Sequence, residues 1–336
     1  MEVIHTPGQD GSQLSYQTYN GIATLSVTSE SPLVPTRTYN GGYAEAKDIR
    51  LRLANGGAGQ SGLIGALADA FVKWCVQGLK GEVQEVAFLV GWYLGDTTQS
   101  LAYLSSGWVD VAFTYNEAAE MALLRNGKAV ERKLAFVDHF YLVGPPSNPA
   151  GLSSEDLVHD IFTKIVANGA RDALVPPVSN ERLPTRFLSR FDKSATNIKE
   201  NDLFIGIGQV PWALPPAIWY HVYPQFPHEA LKAASVLQEY TLTDRGTWLS
   251  SDKKVCDALK VFKGQTDLEA SKATILNGSE DDKALLNPCN SLLGTSPLDR
   301  DLATKFMKWL ISPDGGQKVV REFTTADGQM IYAPAI

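Results

Sequence analysis

A two-domain α/β fold, built on mainly parallel sheets flanked by helices, is predicted by three observations on this chain of 336 residues. From Ile49 onward, apolar strand-like runs alternate with helical segments, the pattern left by parallel strands joined through right-handed crossovers. The length is that of two ordinary domains. The alternation is then interrupted by Gly144-Pro-Pro-Ser-Asn-Pro-Ala-Gly151, the kind of break that a crossing between domains produces. A composition of 44% hydrophobic and 20% charged residues supplies a real core.

Taken in order, residues 1–47 are rich in Gly, Ser, Thr, Tyr and Pro, with one strand-like run at Ile22–Val27, and read as an N-terminal arm wrapped on a larger body. The body opens with a strand at Ile49–Ala54 and a helix from Ser61 to about Leu79, on which Leu63, Ile64, Leu67, Ala70, Phe71 and Trp74 share one apolar face. A strand at Val83–Leu89, a helix over Thr98–Ser105, a strand at Val109–Thr114, a helix from Glu117 to about Leu124 and an apolar strand at Ala135–Val143 follow. Past the break come a helix near Ser154–Asn168, a short strand at Thr185–Ser189, the polar turn Asp192–Thr196 and a helical Asn197–Leu203. Ser194 or Thr196 is placed to cap that last helix. A Pro/Trp-rich stretch over Pro211–Pro227 leads to a helix at Pro227–Glu239, the segment Tyr240–Leu249, the apolar run Ala284–Leu293 and an amphipathic helix at Leu298–Ile311.

The stretch LRLANGGAGQSGL, Leu51 to Leu63, reads as strand, tight loop and helix. Glycines at 56, 57 and 59 allow positive φ and close approach of a ligand to the main chain, and a helix start offers unpaired N–H groups at the positive end of its dipole. Such a corner holds an anion, or is simply a turn. It is neither a phosphate-binding P-loop, since no Gly-Lys-Ser/Thr follows, nor a dinucleotide fingerprint, so no cofactor is expected.

A net charge of −7 disfavours a nucleic-acid partner. Three cysteines at wide spacing, Cys75, Cys256 and Cys289, fit neither a disulfide framework nor a zinc cluster and are expected to be reduced and buried. The five histidines show no paired ligand spacing, so no metal site is expected. The N-terminus lacks the basic start and apolar core of a signal peptide, and no apolar run reaches membrane-spanning length, so the expectation is a soluble, cytoplasmic protein with no membrane partner. An enzyme reading rests on Ser250-Ser-Asp-Lys253, which has the S-x-x-K spacing of serine-lysine hydrolases without a companion motif.

Several segments resemble the tungstate-binding proteins that serve bacterial ABC importers. YTLTDRGTWL at Tyr240–Leu249 matches a segment of that family almost letter for letter, DHFYLVGPPSNPAGL at Asp138–Leu152 is similar to its strand and crossover, and LSRFDKSATNIKE at Leu188–Glu200 resembles its SRGDDSGT corner. LLNPCNSLLGTSP and ATKFMKWLISPDGGQ resemble its C-terminal strand and helix, so the likeness runs from Ile49 to Pro334 in one order. It implies a type II periplasmic-binding-protein fold of two α/β lobes, the first about 48–144 plus 283–336 and the second about 145–282, closing around an oxyanion.

The resemblance further implies that three helix starts converge on the ligand: Asn55–Ser61 (Asn55, Gly56, Gly57, Ala58, Gly59, Ser61), Thr97 and Thr98, and the corner of Ser194 and Thr196. A tetrahedral dianion offers only acceptors, so backbone N–H groups, hydroxyls and a guanidinium fork suit it. Arg190 is the best candidate for the charged clamp, with a surface ion pair to Asp192 as the alternative. Arg245 joins the binding set, although a structural pairing with Asp244 is preferred for it. Two departures matter. The bacterial first loop resembles ATTTSTQDSGL, rich in hydroxyls, where this chain has ANGGAGQSGL, and Ala195 stands where the bacterial corner has glycine. Tungstate or molybdate comes first as ligand, with phosphate, sulfate or an organic acid open, and the missing signal removes the basis for an importer partner. The alternative is a binding-protein fold retained for sensing or protein interaction.

Overall fold

The computed structural model describes residues 3–7, 13–19, 22–27, 33–78, 84–178, 181–192, 194–213, 216–264 and 279–335. Leu79, Val83 and Lys193, which belong to segments expected from the sequence, lie outside these residues. The chain divides into two units, 1–135 with 289–319 and 136–288 with 320–336. The final residues, 320–336, group with the second unit, and the first crossing falls inside a strand instead of at the Gly/Pro break. The Gly/Pro break forms a turn within the second unit, where Asn148, at φ +52°, bonds Leu152 through both its side-chain atoms.

The N-terminal arm forms three antiparallel strands, β1 (Val3–Pro7), β2 (Gln13–Tyr19) and β3 (Ile22–Val27). Next come β4 (Arg37–Tyr39), β5 (Ile49–Asn55), the single turn α1 (Gly57–Gln60), α2 (Leu63–Gln77), β6 (Leu89–Leu94), α3 (Thr97–Ser105), β7 (Val111–Thr114), α4 (Glu117–Arg125) and β8 (Ala129–Gly144). β5 pairs in parallel with both β6 and β7, and β4 closes the edge antiparallel to β6. The expected helix from Ser61 starts later because Gly62, at φ +99°, turns the chain between α1 and α2. The expected strand over Val83–Leu89 is displaced to Leu89–Leu94, since it is this run that finds ladder partners on both sides. The apolar face of α2 behaves as its spacing predicts: Leu63, Ile64, Leu67 and Phe71 are fully buried, and the Phe71 ring meets Phe306 of the 300–310 helix edge-on at 5.0 Å.

The second unit carries α5 (Val158–Leu174), β9 (Phe187–Ser189), α6 (Ala195–Gly206), β10 (Tyr220–Val222), α7 (Pro227–Leu237), β11 (Tyr240–Asp244), α8 (Arg245–Ser250), α9 (Lys253–Asp257) and β12 (Lys260–Lys263). β9 lies between β10 and β11 with both pairings parallel, and β11 runs antiparallel to β8. The chain continues through a helix at 280–284, β13 (Leu286–Gly294), helices at 300–310 and 316–322, and β14 (Ala333–Pro334), which pairs antiparallel with β8. An aromatic core of Phe162, Phe187 and Phe204, with ring centroids 4.9–5.8 Å apart, fixes α5 and α6 against β9. This packing holds the β9 to α6 corner rigid, since α6 cannot slide without opening a void.

Candidate functional site

At the first corner the glycines divide their labour. A Cβ on Gly59 would lie 2.3 Å from the Trp92 ring, and one on Gly56 would lie 3.0 Å from the Gly95 carbonyl oxygen, whereas one on Gly57 would meet nothing within 4 Å. Gly59 and Gly56 therefore answer packing needs inside the unit, and Gly57 alone leaves room for a ligand at the main chain. Gly59→Ala should destabilise the protein by about 2 kcal/mol, because Trp92, 3% exposed, has no space to yield. Chemical denaturation of the variant checks this; an unchanged midpoint would contradict the packing.

The Asn55 side chain, expected to serve a ligand, is committed elsewhere. Fully buried, it donates to the Phe113 carbonyl at 2.9 Å and accepts from the Gly59 amide at 2.8 Å, so it ties the start of α1 to β7. The Ser61 hydroxyl donates back to the Ala58 carbonyl at 3.0 Å. The amides of Gly57 and Ala58, first in α1, have no helical acceptor by geometry, and among the described residues no acceptor is found for them.

At the second corner a carboxylate already holds the helix start. Asp96 accepts from the Gln99 amide at 2.8 Å and its own amide donates to the Gln99 side chain at 3.1 Å, a reciprocal capping box. Thr97 is 6% exposed and Thr98 is exposed. The Asp96 charge works against an anion here, whatever the hydroxyls of Thr97 and Thr98 could offer one. The Gly56 position, close to the Gly95 carbonyl, places these first two corners side by side.

The third corner is differently equipped. Ser194 caps α6 by accepting from the Asn197 amide at 3.3 Å, and Asp192 accepts from the Ser194 amide at 3.0 Å. Arg190 does pair with Asp192, at 2.5 Å, but not as a surface pair: it is 7% exposed, and its Nε donates to the Gln225 carbonyl at 3.0 Å. Arg190 and Thr196 line a crevice with Pro227, Ala230, Leu231 and Thr241–Asp244. The hydroxyl-bearing Thr196, 4% exposed, and Thr243, 5% exposed, both stand on this crevice. Thr243 was missed, though the alternation of YTLTD puts Thr241 and Thr243 on one face of β11. Thr241 is spent on the Leu188 carbonyl at 2.8 Å.

Arg245 stands apart from this crevice. Its guanidinium donates to the Tyr141 hydroxyl and, through Nε at 3.1 Å, to the Met330 carbonyl, and it lies 5.8 Å from the Tyr141 ring centroid. Its expected pairing with Asp244 is absent from the described ion pairs; the Asp244 carboxylate instead accepts from the amide and hydroxyl of Thr247, both at 2.7 Å, and so caps α8. Around Arg245, burial pushes the Asp138 carboxyl well above the usual carboxylate range, helped by the Asp244 charge. Burial, and then the Arg245 charge, bring the His139 imidazole down to about 3, so it is neutral.

The serine-lysine arrangement has no geometric support. Ser250 donates to the Gly246 carbonyl at 2.6 Å, and the Lys253 ammonium is bound by Asp257 at 2.7 Å. Among the described residues no group of three or more His, Cys, Asp or Glu side chains is placed to hold a metal ion. No described helix is long and apolar enough to cross a membrane.

The chain is similar to a protein of Haloferax volcanii named a putative ABC transporter anion-binding protein, at 27% identity over 236 residues, 69% of this chain and 59% of the relative. It is also similar to the tungstate-binding protein TupA of Peptoclostridium acidaminophilum, at 32% identity over 190 residues, 56% of this chain and 57% of the relative. It thus spans under two thirds of the length of these curated relatives. Among solved structures, a periplasmic putative metal binding protein shares 44% identity and a TM-score of 0.75, over 89% of this chain and 99% of that one. Residues 65–314 match the PBP superfamily domain, and with the two α/β units described above the chain belongs to that family.

Proposed function

We propose that this chain binds a small tetrahedral oxyanion, with tungstate or molybdate as the preferred ligand, and does so without catalysis. The observation that carries the reading is the donor set of the α6 corner: a nearly buried Arg190, the hydroxyls of Thr196 and Thr243, and the first turn of a helix, all bordering one crevice. These groups donate, as an anion of four acceptor oxygens requires, and the Asp244 carboxylate on the same wall is held by the amide and hydroxyl of Thr247. The open amides at Gly57 and Ala58 offer a second set made of main chain alone. Relatives named for tungstate and anion binding support the choice of ligand class.

The loss of loop hydroxyls, together with the commitment of Asn55 and Ser61 to internal bonds, favours a second reading in which the fold is retained for sensing or protein contact. A thermal-shift panel separates the two. Tungstate or molybdate should raise the melting temperature more than sulfate or phosphate at equal concentration, with about 2.7 kcal/mol of added stability at a hundredfold excess over Kd. Equal or absent shifts across the panel support the second reading.

A further inference from the structure

Glu200 sits on α6, 1% exposed, directly behind the corner that carries Arg190. Its Oε1 accepts from the Ser189 hydroxyl, from Asn197 Nδ2 at 2.7 Å and from the Tyr220 hydroxyl at 3.3 Å, while Oε2 has no partner among the described residues. Ionised, this buried carboxylate would carry charge on an oxygen that no described donor meets and with no described cation paired to it, the setting in which burial penalises the charged form most. The three donors come from the end of β9, the first turn of α6 and β10. Ser189 also accepts from the amide of Phe191, whose φ of +46° turns the chain between Arg190 and Asp192. One carboxyl group thus links the segments that place Arg190 and the α6 amides.

We propose that Glu200 is a proton-operated control on the anion site: neutral, it leaves the corner receptive, and ionised, it sets a buried negative charge behind Arg190 and the first turn of α6 and loosens the anion. This rests on the oxyanion reading above and adds a regulation to it. Burial raises the Glu200 carboxyl to about 8, against the opposing pull of its three donors, and the nearby Asp192 charge pushes the same way as burial. The other ionisable groups on the surrounding elements are Arg190 following β9, Tyr220 and His221 on β10, Tyr240 and Asp244 on β11, His159, Asp160, Lys164, Arg171 and Asp172 on α5, and Lys199 and Asp202 on α6 itself. Burial holds the Tyr220 phenol above its ordinary range, so it stays neutral as Glu200 titrates. Tungstate and molybdate are already dianions above neutrality, so their own protonation does not supply the effect.

The sign follows from linkage. The folded state keeps a proton that the unfolded chain releases in the ordinary carboxyl range, so stability falls as pH rises from that range to about 8. Reciprocally, an anion must raise the Glu200 pKa by the logarithm of the affinity it loses. For one unit of pKa displacement, calorimetric titration with sodium tungstate should therefore show affinity falling roughly fivefold between about pH 7 and about pH 9, towards a limit of about tenfold. Glu200→Gln, which keeps the accepting oxygen and replaces the bare one, should bind as tightly as wild type near pH 7 and lose most of that pH dependence. Parallel profiles for the two proteins would overturn the proposal, as would a variant weakened equally at every pH. Absence of any tungstate binding to wild type near pH 7 removes the oxyanion reading itself, which separates that failure from this one. If the variant does not fold, infrared difference spectra of wild type decide instead: the protonated-carboxyl band must shrink as pH rises through about 8 and recover on tungstate addition, and a band unmoved by tungstate overturns the proposal.

Discussion

Arg190→Ala is expected to cost most of the anion affinity while leaving the protein folded. Among the described residues lining the α6 crevice the guanidinium is the one formal positive charge, and a charge-assisted contact is worth about 1.5–3 kcal/mol, roughly tenfold to a hundredfold in Kd. The loss should fall at the upper end, because removing Arg190 also strips Asp192 of its 2.5 Å partner and leaves that carboxylate facing the incoming anion. Folding survives because Asp192 is partly solvated and keeps the Ser194 amide, while the α6 aromatic core is untouched. Calorimetric titration with tungstate and a denaturation curve on the same preparation read the two effects separately. Unchanged affinity with reduced stability would mean that Arg190 serves only the chain reversal.

Arg245→Ala should act in the opposite way, with a stability loss of about 3 kcal/mol or more and its effect on binding following from that. Arg245 is 6% exposed and satisfies the Tyr141 hydroxyl and the Met330 carbonyl. Its removal orphans both and withdraws the positive charge that offsets the burial of Asp138 and the nearby charge of Asp244. Breaking a buried charged network by removing one partner typically costs 3–5 kcal/mol. The raised Asp138 carboxyl moderates the figure, since a protonated Asp138 carries no charge to strand. Urea denaturation followed by the tryptophan fluorescence of the second unit, where Trp248 lies 6.5 Å from Tyr141, gives the number. A variant as stable as wild type would contradict the buried network.

What was legible in the sequence was whatever local pattern decides. Alternation gave the parallel strands, the spacing of Leu63 to Phe71 gave the core face of α2, and the polar turn before Asn197 gave the capped start of α6. What was not legible depends on partners far along the chain. Gly59 reads as a ligand-approach glycine until the Trp92 ring arrives from β6, and Asn55 reads as a donor until Phe113 claims its amide. The strand expected at Val83–Leu89 slid to Leu89–Leu94 because ladder pairing with β5 and β4, not local propensity, selects the register. Glu200 looks like any solvated helix carboxylate until Ser189 and Tyr220 enclose it. For Arg190 the pairing with Asp192 was legible from their spacing, while its burial beside the crevice, which comes from α7 and β11, was not.

The claim that the α6 corner of this binding-protein fold holds a small oxyanion is tested most directly by calorimetric titration of tungstate into the wild-type protein near pH 7. The account predicts one saturable site per chain, weakened on the order of tenfold to a hundredfold by Arg190→Ala. Heats indistinguishable from dilution for tungstate, molybdate, sulfate and phosphate alike would contradict it.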